Sequence, residues 1–387
     1  MKQPTEIFSL IAKEEARQKE TIDLIASENY VSDDVRSALS SVFMNKYAEG
    51  YPGKRYYEGN SVVDEVELLA QERALSVFSL FAEEWSVNVQ ALSGAQANLA
   101  VYLALVPLGE TILSLDLSHG GHLSHGHKVS LTGKLWKQET YTVSKETETL
   151  DYDEVRRRAE EVRPAMIVAG YTAYPRAIDF KKFREIADSV GALLHVDMSH
   201  IAGLIAGGVH ESPFRYADTV MSTTHKTLRG PRAAIIFSKK EHSTLIDKAV
   251  FPGLQGGPHI NKIAAMTVAF DEALTPEFSL YAEQIIKNAD ALANTLKERG
   301  LRLVANGTDT HLILVDTWMD GKGVPGDEAS QKLADVGIVT NKNTIPFDTR
   351  SPQSPSGIRL GTAAETTRGK VESDFVVIGN RIADALL

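Results

Sequence analysis

The chain has 387 residues, of which 43% are hydrophobic and 24% charged, with a formal net charge of −10; that length suits two or three domains, and the acidic balance argues against nucleic acid as the main partner. It contains no cysteine, which excludes disulfides, thiolate metal sites and cysteine nucleophiles and is compatible with a reducing cytosol. Residues 1–20 are charged and lack the apolar core of a signal peptide, no apolar run approaches the ~20 residues that span a bilayer, and the expectation is a soluble cytoplasmic protein without membrane contact.

Strand-like runs alternate with amphipathic helices through the first two-thirds. Val87–Gln90, Thr111–Leu115, Met166–Ala169 and Leu193–Val196 read as strands. Between the last two, Phe183, Ile186, Ala187 and Val190 fall on one helical face, and Gly191 is placed to cap its end. Thr219–Met221 and Ala233–Phe237 read as further short buried strands. This alternation predicts a mainly parallel sheet covered by helices, with ligands beyond the carboxyl ends of the strands. A second region starts around Ile260. Thr275 and Pro276 look like an N-cap and first helical residue, opening a helix that runs to Gly300, followed by strand-like runs at Leu301–Val304 and Leu312–Val315. The stretch from Asp348 to Gly357 is rich in proline and serine and reads as a loop. The region after Ile260 is expected to form a smaller α+β unit.

Several segments carry chemistry. Lys226 lies in Ser222-Thr223-Thr224-His225-Lys226-Thr227-Leu228-Arg229-Gly230-Pro231-Arg232, on a turn between two buried runs. A lysine near apolar walls and other cations loses proton affinity and becomes an amine nucleophile, as Schiff-base chemistry with an aldehyde cofactor requires; alone, it also fits a solvated loop. Asp197 ends the run Leu193–Val196, as a functional carboxylate or a structural one. Ser93-Gly94-Ala95-Gln96-Ala97-Asn98 follows a strand and opens a helix, where backbone amides favour an anion such as phosphate. The run from Ser118 to His127 holds four of the 11 histidines and invites a metal reading, but a glycine-rich run must bend sharply to aim three rings at one ion, and no HExxH pattern exists. The stretch from Asn45 to Tyr57 is dense in aromatics, charge and glycine, fitting a binding loop or an interface. Arg359 follows the serine- and proline-rich loop, as an anion-binding or a surface arginine.

Taken together, these segments resemble serine hydroxymethyltransferases, enzymes that use pyridoxal 5′-phosphate (PLP). The resemblance runs in order from Leu24-Ile25-Ala26-Ser27-Glu28-Asn29-Tyr30 to Ser356-Gly357-Ile358-Arg359-Leu360-Gly361-Thr362. It implies an α/β architecture, the PLP-dependent transferase fold type I. The expected division is an N-terminal arm and interface segment (1–50), a large PLP-binding domain with a mainly parallel seven-stranded sheet (51–260), and a smaller α+β C-terminal domain (261–387).

The resemblance makes Lys226 the partner of the cofactor aldehyde. It makes Asp197 the carboxylate that keeps the pyridine nitrogen protonated, and places His122 in a stack on the ring. His200, Thr172 and His225 are implied to lie against the cofactor, and Ser93, Gly94 and Ala95 to receive its phosphate. Gly256 and Gly257 resemble a second phosphate contact made across a dimer interface, and Tyr47 is implied to reach the phosphate and substrate of the neighbouring subunit's site. Ser27, Tyr57 and Arg359 match the binders of a substrate carboxylate. Glu49 would exchange a proton with the substrate hydroxyl, again from the neighbouring subunit. Leu117, Gly121, Leu123 and Asn343 resemble folate-contacting positions, and no metal is implied.

The activity so implied is reversible transfer of the serine hydroxymethyl group to tetrahydrofolate, giving glycine and 5,10-methylenetetrahydrofolate. The expected assembly is a homodimer with shared active sites, or a tetramer. The alternative is a folate-independent PLP aldolase on 3-hydroxy amino acids, or an α-methylserine hydroxymethyltransferase. Ala91, Ala95, Ala233-Ala234 and Ala363 depart from the family pattern. Those changes are expected to weaken cofactor affinity or stability without removing a group that performs chemistry.

Overall fold

A computed structural model describes residues 6–387; the first five residues of the expected N-terminal arm lie outside this description. The centre is a seven-stranded sheet built from β1 (Trp85–Asn88), β2 (Thr111–Leu115), β3 (Lys137–Tyr141), β4 (Met166–Gly170), β5 (Leu193–Asp197), β6 (Thr219–Thr223) and β7 (Ala234–Lys239). The spatial order is β1-β7-β6-β5-β4-β2-β3. Neighbours from β6 to β3 are parallel, and β7 runs antiparallel to both β6 and β1. β1 is therefore parallel to β6, and six strands end on the same edge.

The inner strands are rich in apolar residues because both their faces are covered, whereas the edge strand β3, Lys137-Gln138-Glu139-Thr140-Tyr141, is polar and partly exposed. Leu113, Ile167, Leu194, Val220 and Ile235 pack into the core on one face. Ile112, Met166, Val168, Met221 and Ile236 pack into a second core on the other. The helix Phe180–Val190 buries Phe180, Phe183, Ile186 and Ala187, and Gly191 closes it in the left-handed conformation at φ 73°. Several expected edges differ by one or two residues. The first strand is displaced two residues toward the N-terminus, ending at Asn88 rather than Gln90, and β7 starts at Ala234.

A second sheet of four antiparallel strands contains β8 (Arg302–Leu303), β9 (Leu312–Asp316), β10 (Asn341–Asn343) and β11 (Gly357–Gly361), in the order β8-β9-β11-β10. β8 stops at Leu303, short of the expected Val304, because the chain turns at Ala305 with φ 53°. The helices Pro276–Glu298 and Glu372–Leu386 pack together beside this sheet around Leu292, Leu296, Phe375 and Ile382. Thr275 caps the first of these with Pro276 at its first position, but its hydroxyl bonds back to the Glu272 carbonyl, and the helix ends at Glu298.

The N-terminal segment ties the two sheets together. Ile22 and Asp23 pair with Ile338 and Val339, and the Gly361 N–H donates to the Leu24 carbonyl at 2.7 Å. Residues 24–30 thus run along the seam toward the carboxyl edge of the large sheet. No helix among the described residues is long and apolar enough to cross a membrane.

Candidate active site

The parallel strands deliver their downstream turns to one place, a cavity of about 860 Å³. Ser93, Gly94 and Ala95 arrive after β1, His122 after β2, Thr172 after β4, Asp197 and His200 at the end of β5, and His225 and Lys226 after β6. Ser27 and Arg359 close it from the seam and from β11. Eleven of the residues expected at the site therefore line one cavity.

The Lys226 turn is rigid. The Thr224 hydroxyl donates to the Pro231 carbonyl at 2.5 Å, the Gly230 N–H to the Thr224 carbonyl at 2.6 Å, and the Asn29 amide to the Lys226 carbonyl at 2.9 Å. Burial lowers the Lys226 pKa to about 8; Asp197 opposes this, and Arg359 and Arg232 add to it. The amine is thus closer to its nucleophilic neutral form than a free lysine.

Asp197 receives two donors on each oxygen. Asn98 Nδ2 and His125 Nε2 reach Oδ2, each at 3.0 Å, and the Ser199 hydroxyl and amide reach Oδ1 at 2.6 and 3.1 Å. Burial alone would raise its pKa, but the His125 hydrogen bond and the nearby cations hold it well below the carboxylate range. It is an anion kept inside a wall. Burial lowers the His122 pKa to about 4, so that ring is neutral near pH 7.

At the opposite end of the cavity, Ser93 caps the helix Gly94–Leu105 without bonding its first amides; its hydroxyl faces Gln96 instead. Those amides stay open to an anion. Gly94 is required there, since a Cβ would lie 2.7 Å from Thr223 Cγ2.

Arg359 is 6% exposed and lies within salt-bridge distance of no carboxylate among the described residues. Its Nε donates to Asn341 Oδ1 at 3.1 Å, Nη1 to the Thr172 carbonyl at 2.8 Å and Nη2 to Ser27 Oγ at 3.4 Å. A guanidinium has five N–H donors, so one remains on each terminal nitrogen, the spacing that binds a carboxylate with two parallel bonds. Burial lowers its pKa to about 10, which leaves it charged.

The cavity as a whole is cationic. Lys226, Arg232, Lys262 and Arg359 line it against the single carboxylate of Asp197. Three buried polar atoms on its wall, His200 Nε2, Thr223 Oγ1 and His225 Nδ1, have no hydrogen-bond partner among the described residues. Buried polar atoms are normally paired. A ligand with a phosphate and polar ring substituents fits this donor set.

The remaining expected residues lie elsewhere. Tyr47, Glu49, Tyr57, Gly256 and Gly257 do not line the Lys226 cavity. They form a separate cluster in which the Tyr47 hydroxyl donates to Glu49 Oε1 at 3.3 Å, the Tyr47 and Tyr57 rings meet edge-on at 5.1 Å, and Glu49 approaches both glycines. Arg55 fixes the loop by donating to the Ala48 and Gly50 carbonyls and pairing with Glu67 at 2.5 Å. Leu117 and Leu123 open two short helical turns, Leu117–His119 and Leu123–His125, and Gly121 lies between them next to His122. Gly121 has no room for a side chain, since a Cβ would lie 2.1 Å from the Leu115 carbonyl. Asn343 faces Gly357 across β10 and β11.

The chain matches the serine hydroxymethyltransferase family across residues 1–382. It is 54% identical over 378 residues to a serine hydroxymethyltransferase of Desulfotalea psychrophila, covering 98% of this chain and 87% of that one. It is 53% identical over 381 residues to one from Koribacter versatilis, covering 98% and 88%. The chain belongs to the serine hydroxymethyltransferase family. Members of this family use PLP and tetrahydrofolate, and the donor set of the cavity is consistent with the first of these.

Of the alanines that depart from the family pattern, Ala95 and Ala233 line the cavity. Ala91, Ala233, Ala234 and Ala363 are buried among apolar neighbours, and Ala95 is exposed in the first turn of its helix. The sequence reading assigned no role to Asn98, Ser199, Arg232 or His311. Arg232 could have been found, because it sits inside the lysine motif. His311 reaches His200 Nδ1 at 3.2 Å and the Ala26 carbonyl at 3.1 Å, across 111 and 285 positions of sequence, with no local signal. His122 and His125 serve different partners, Ser124 and Asp197.

Proposed function

We propose that this chain catalyses the reversible transfer of the serine hydroxymethyl group to tetrahydrofolate, yielding glycine and 5,10-methylenetetrahydrofolate, with PLP as its cofactor. The observation that carries this reading is a single cavity that joins a partly buried lysine of lowered proton affinity, a shielded carboxylate and a buried arginine without a counter-ion among the described residues. PLP, when bound, supplies an electron sink for the substrate α-carbon.

The protein residues supply everything else. Lys226 is the amine for the cofactor aldehyde. Asp197, held anionic by its four donors, keeps a proton on a ring nitrogen placed against it. The open amides after Ser93 receive the phosphate, with Gly94 and Ala95. His122 covers the ring, while Thr172, His200 and His225 border it. Arg359 and Ser27 orient the substrate carboxylate, which fixes the bond to be broken relative to the ring. Leu117, Gly121, Leu123 and Asn343 are the proposed folate contacts.

Tyr47, Glu49, Tyr57, Gly256 and Gly257 act in the cavity of a second copy, so the working unit is a homodimer with shared sites. Their clustering away from the cavity of their own chain supports this, as does the helix Glu6–Glu20, which buries nothing and exposes Ile7, Phe8, Leu10 and Ile11. Glu49 is the proposed proton carrier for the substrate hydroxyl. The proposed units are the arm (1–50), the large domain (51–260) and the small domain (261–387), in a cytoplasmic enzyme. The test is incubation of purified protein with PLP, serine and tetrahydrofolate. Glycine formation that requires folate is expected. Cleavage that ignores folate would replace the reading with an aldolase, and no cleavage would overturn it.

A further inference from the structure

Beneath the cavity wall, a line of buried side chains connects the sheet to two groups that face the cavity. Asn98 is at its centre and is fully buried. Its amide has only one sensible orientation. The carboxylate of Asp197 accepts and does not donate, so Nδ2 faces Asp197 Oδ2 at 3.0 Å and gives its other proton to Ser124 Oγ at 2.9 Å. Asn98 Oδ1 must then accept from His195 Nε2 at 2.9 Å. Neutral His195 therefore carries its proton on Nε2, and its Nδ1 accepts from the Thr219 hydroxyl at 2.8 Å.

The other branch is fixed in the same way. Ser124 Oγ, having accepted from Asn98, donates to His122 Nδ1 at 2.7 Å, and the Ser124 amide donates to the same atom at 3.1 Å. Two donors on Nδ1 leave Nε2 as the protonated nitrogen of neutral His122. Burial lowers both histidines to about 4, so both are neutral near pH 7. Every link thus donates in one direction: Thr219 to His195, His195 to Asn98, Asn98 to Asp197 and Ser124, and Ser124 to His122.

We propose that Asn98 is a positioning residue that sets the proton direction of this line and thereby couples Asp197 to His122. The coupling to the cofactor rests on the PLP reading above; the proton direction does not. If the ring nitrogen pairs with Asp197, Asn98 supplies one of the four hydrogen bonds that lower the proton affinity of the carboxylate. The proton then stays on the ring side. Without Asn98 it shifts toward Asp197, and His195 loses the acceptor that fixes its tautomer.

The test begins with the cofactor-free wild-type protein, uniformly labelled with ¹⁵N-histidine. Two-bond ¹H–¹⁵N correlations near pH 7 are expected to show both His122 and His195 with the proton on Nε2. A proton on Nδ1 of either ring overturns the proposal, whether or not the protein binds PLP. In Asn98→Ala, the His195 signals are expected to become a mixture of tautomers. With ¹⁵N-labelled PLP, the ring-nitrogen signal is expected to move toward the unprotonated position, and cofactor affinity to fall about tenfold. A wild-type ring-nitrogen signal in a folded Asn98→Ala protein would overturn the coupling. Should that variant fail to fold, Asn98→Leu keeps the bulk while removing both donor and acceptor, and the same signal decides. A wild-type protein that holds no PLP would instead defeat the cofactor reading, while the histidine tautomers still decide the direction of the line.

Discussion

Arg359→Ala tests the substrate end of the site. The arginine spends three donors on Asn341, Thr172 and Ser27, leaving two for a carboxylate. Each hydrogen bond to a charged group contributes about 1.5–3 kcal/mol. Losing two costs about 3–6 kcal/mol, which at ~1.4 kcal/mol per tenfold is a fall of about 10²–10⁴ in kcat/KM for serine. Stability should change little by comparison, because the removed cation has no carboxylate partner within salt-bridge distance among the described residues, so no acid is stranded by its loss. Arg359→Lys keeps the charge but cannot hold three protein contacts and two carboxylate oxygens together, so it should fall between wild type and alanine, mainly through KM. The assay is steady-state glycine production over a range of serine concentrations, with PLP content followed by visible absorption to confirm that the cofactor is retained. A variant that retained PLP and showed kcat/KM within about twofold of wild type would refute the assignment of the two free donors to the substrate.

Three further outcomes are expected. Capture of PLP by the cofactor-free protein needs the neutral amine of Lys226, so its rate should rise with pH and level off above about 8; a midpoint near the ordinary lysine value of 10.5 would contradict the proposed burial effect. Lys226→Ala and Glu49→Gln, each inactive alone, should regain about a quarter of wild-type activity when refolded as an equal mixture, because half the dimers would carry one intact site; no recovery would place Glu49 and Lys226 in the same chain's site. Gly361→Ala would set a Cβ 2.3 Å from the Ala26 Cα, cost about 1–3 kcal/mol of stability, and raise KM for serine by displacing the adjacent Ser27; an unchanged melting temperature would mean that the seam yields easily.

What could be read from the sequence followed from local regularity. β2 is expected at its observed bounds because Ile112, Leu113 and Leu115 place apolar side chains on both of its buried faces. β1 was misplaced because its end is polar for tertiary reasons. Asn88 is buried against Tyr51 and Asp247, and Gln90 against Glu67 and the Gly50 carbonyl, and no pattern within residues 85–90 announces those partners. The functional residues divide in the same way. Lys226 and Asp197 stand at the ends of buried strands, where a parallel sheet collects its ligands. Asn98 is one buried polar residue in a helix, and its meaning appears only when Ser124, His195 and Asp197 are seen around it.

Charge illustrates the limit of bulk properties. A net charge of −10 argues against a long polyanion, whose many phosphates need an extended basic surface. It says nothing against one phosphate and one carboxylate. The cavity reverses the sign of the chain locally, with four cations facing one carboxylate. Arg359 and Asp197 are buried, so their interactions there outweigh their equivalents at the surface, whereas the exposed Arg232 contributes less. Burial works against the Asp197 charge, and its four donors act together with the nearby cations to hold it. In the proposed function that charge serves a ring nitrogen inside a site otherwise built to attract anions, and the proposed line through Asn98 would keep it available from behind the wall.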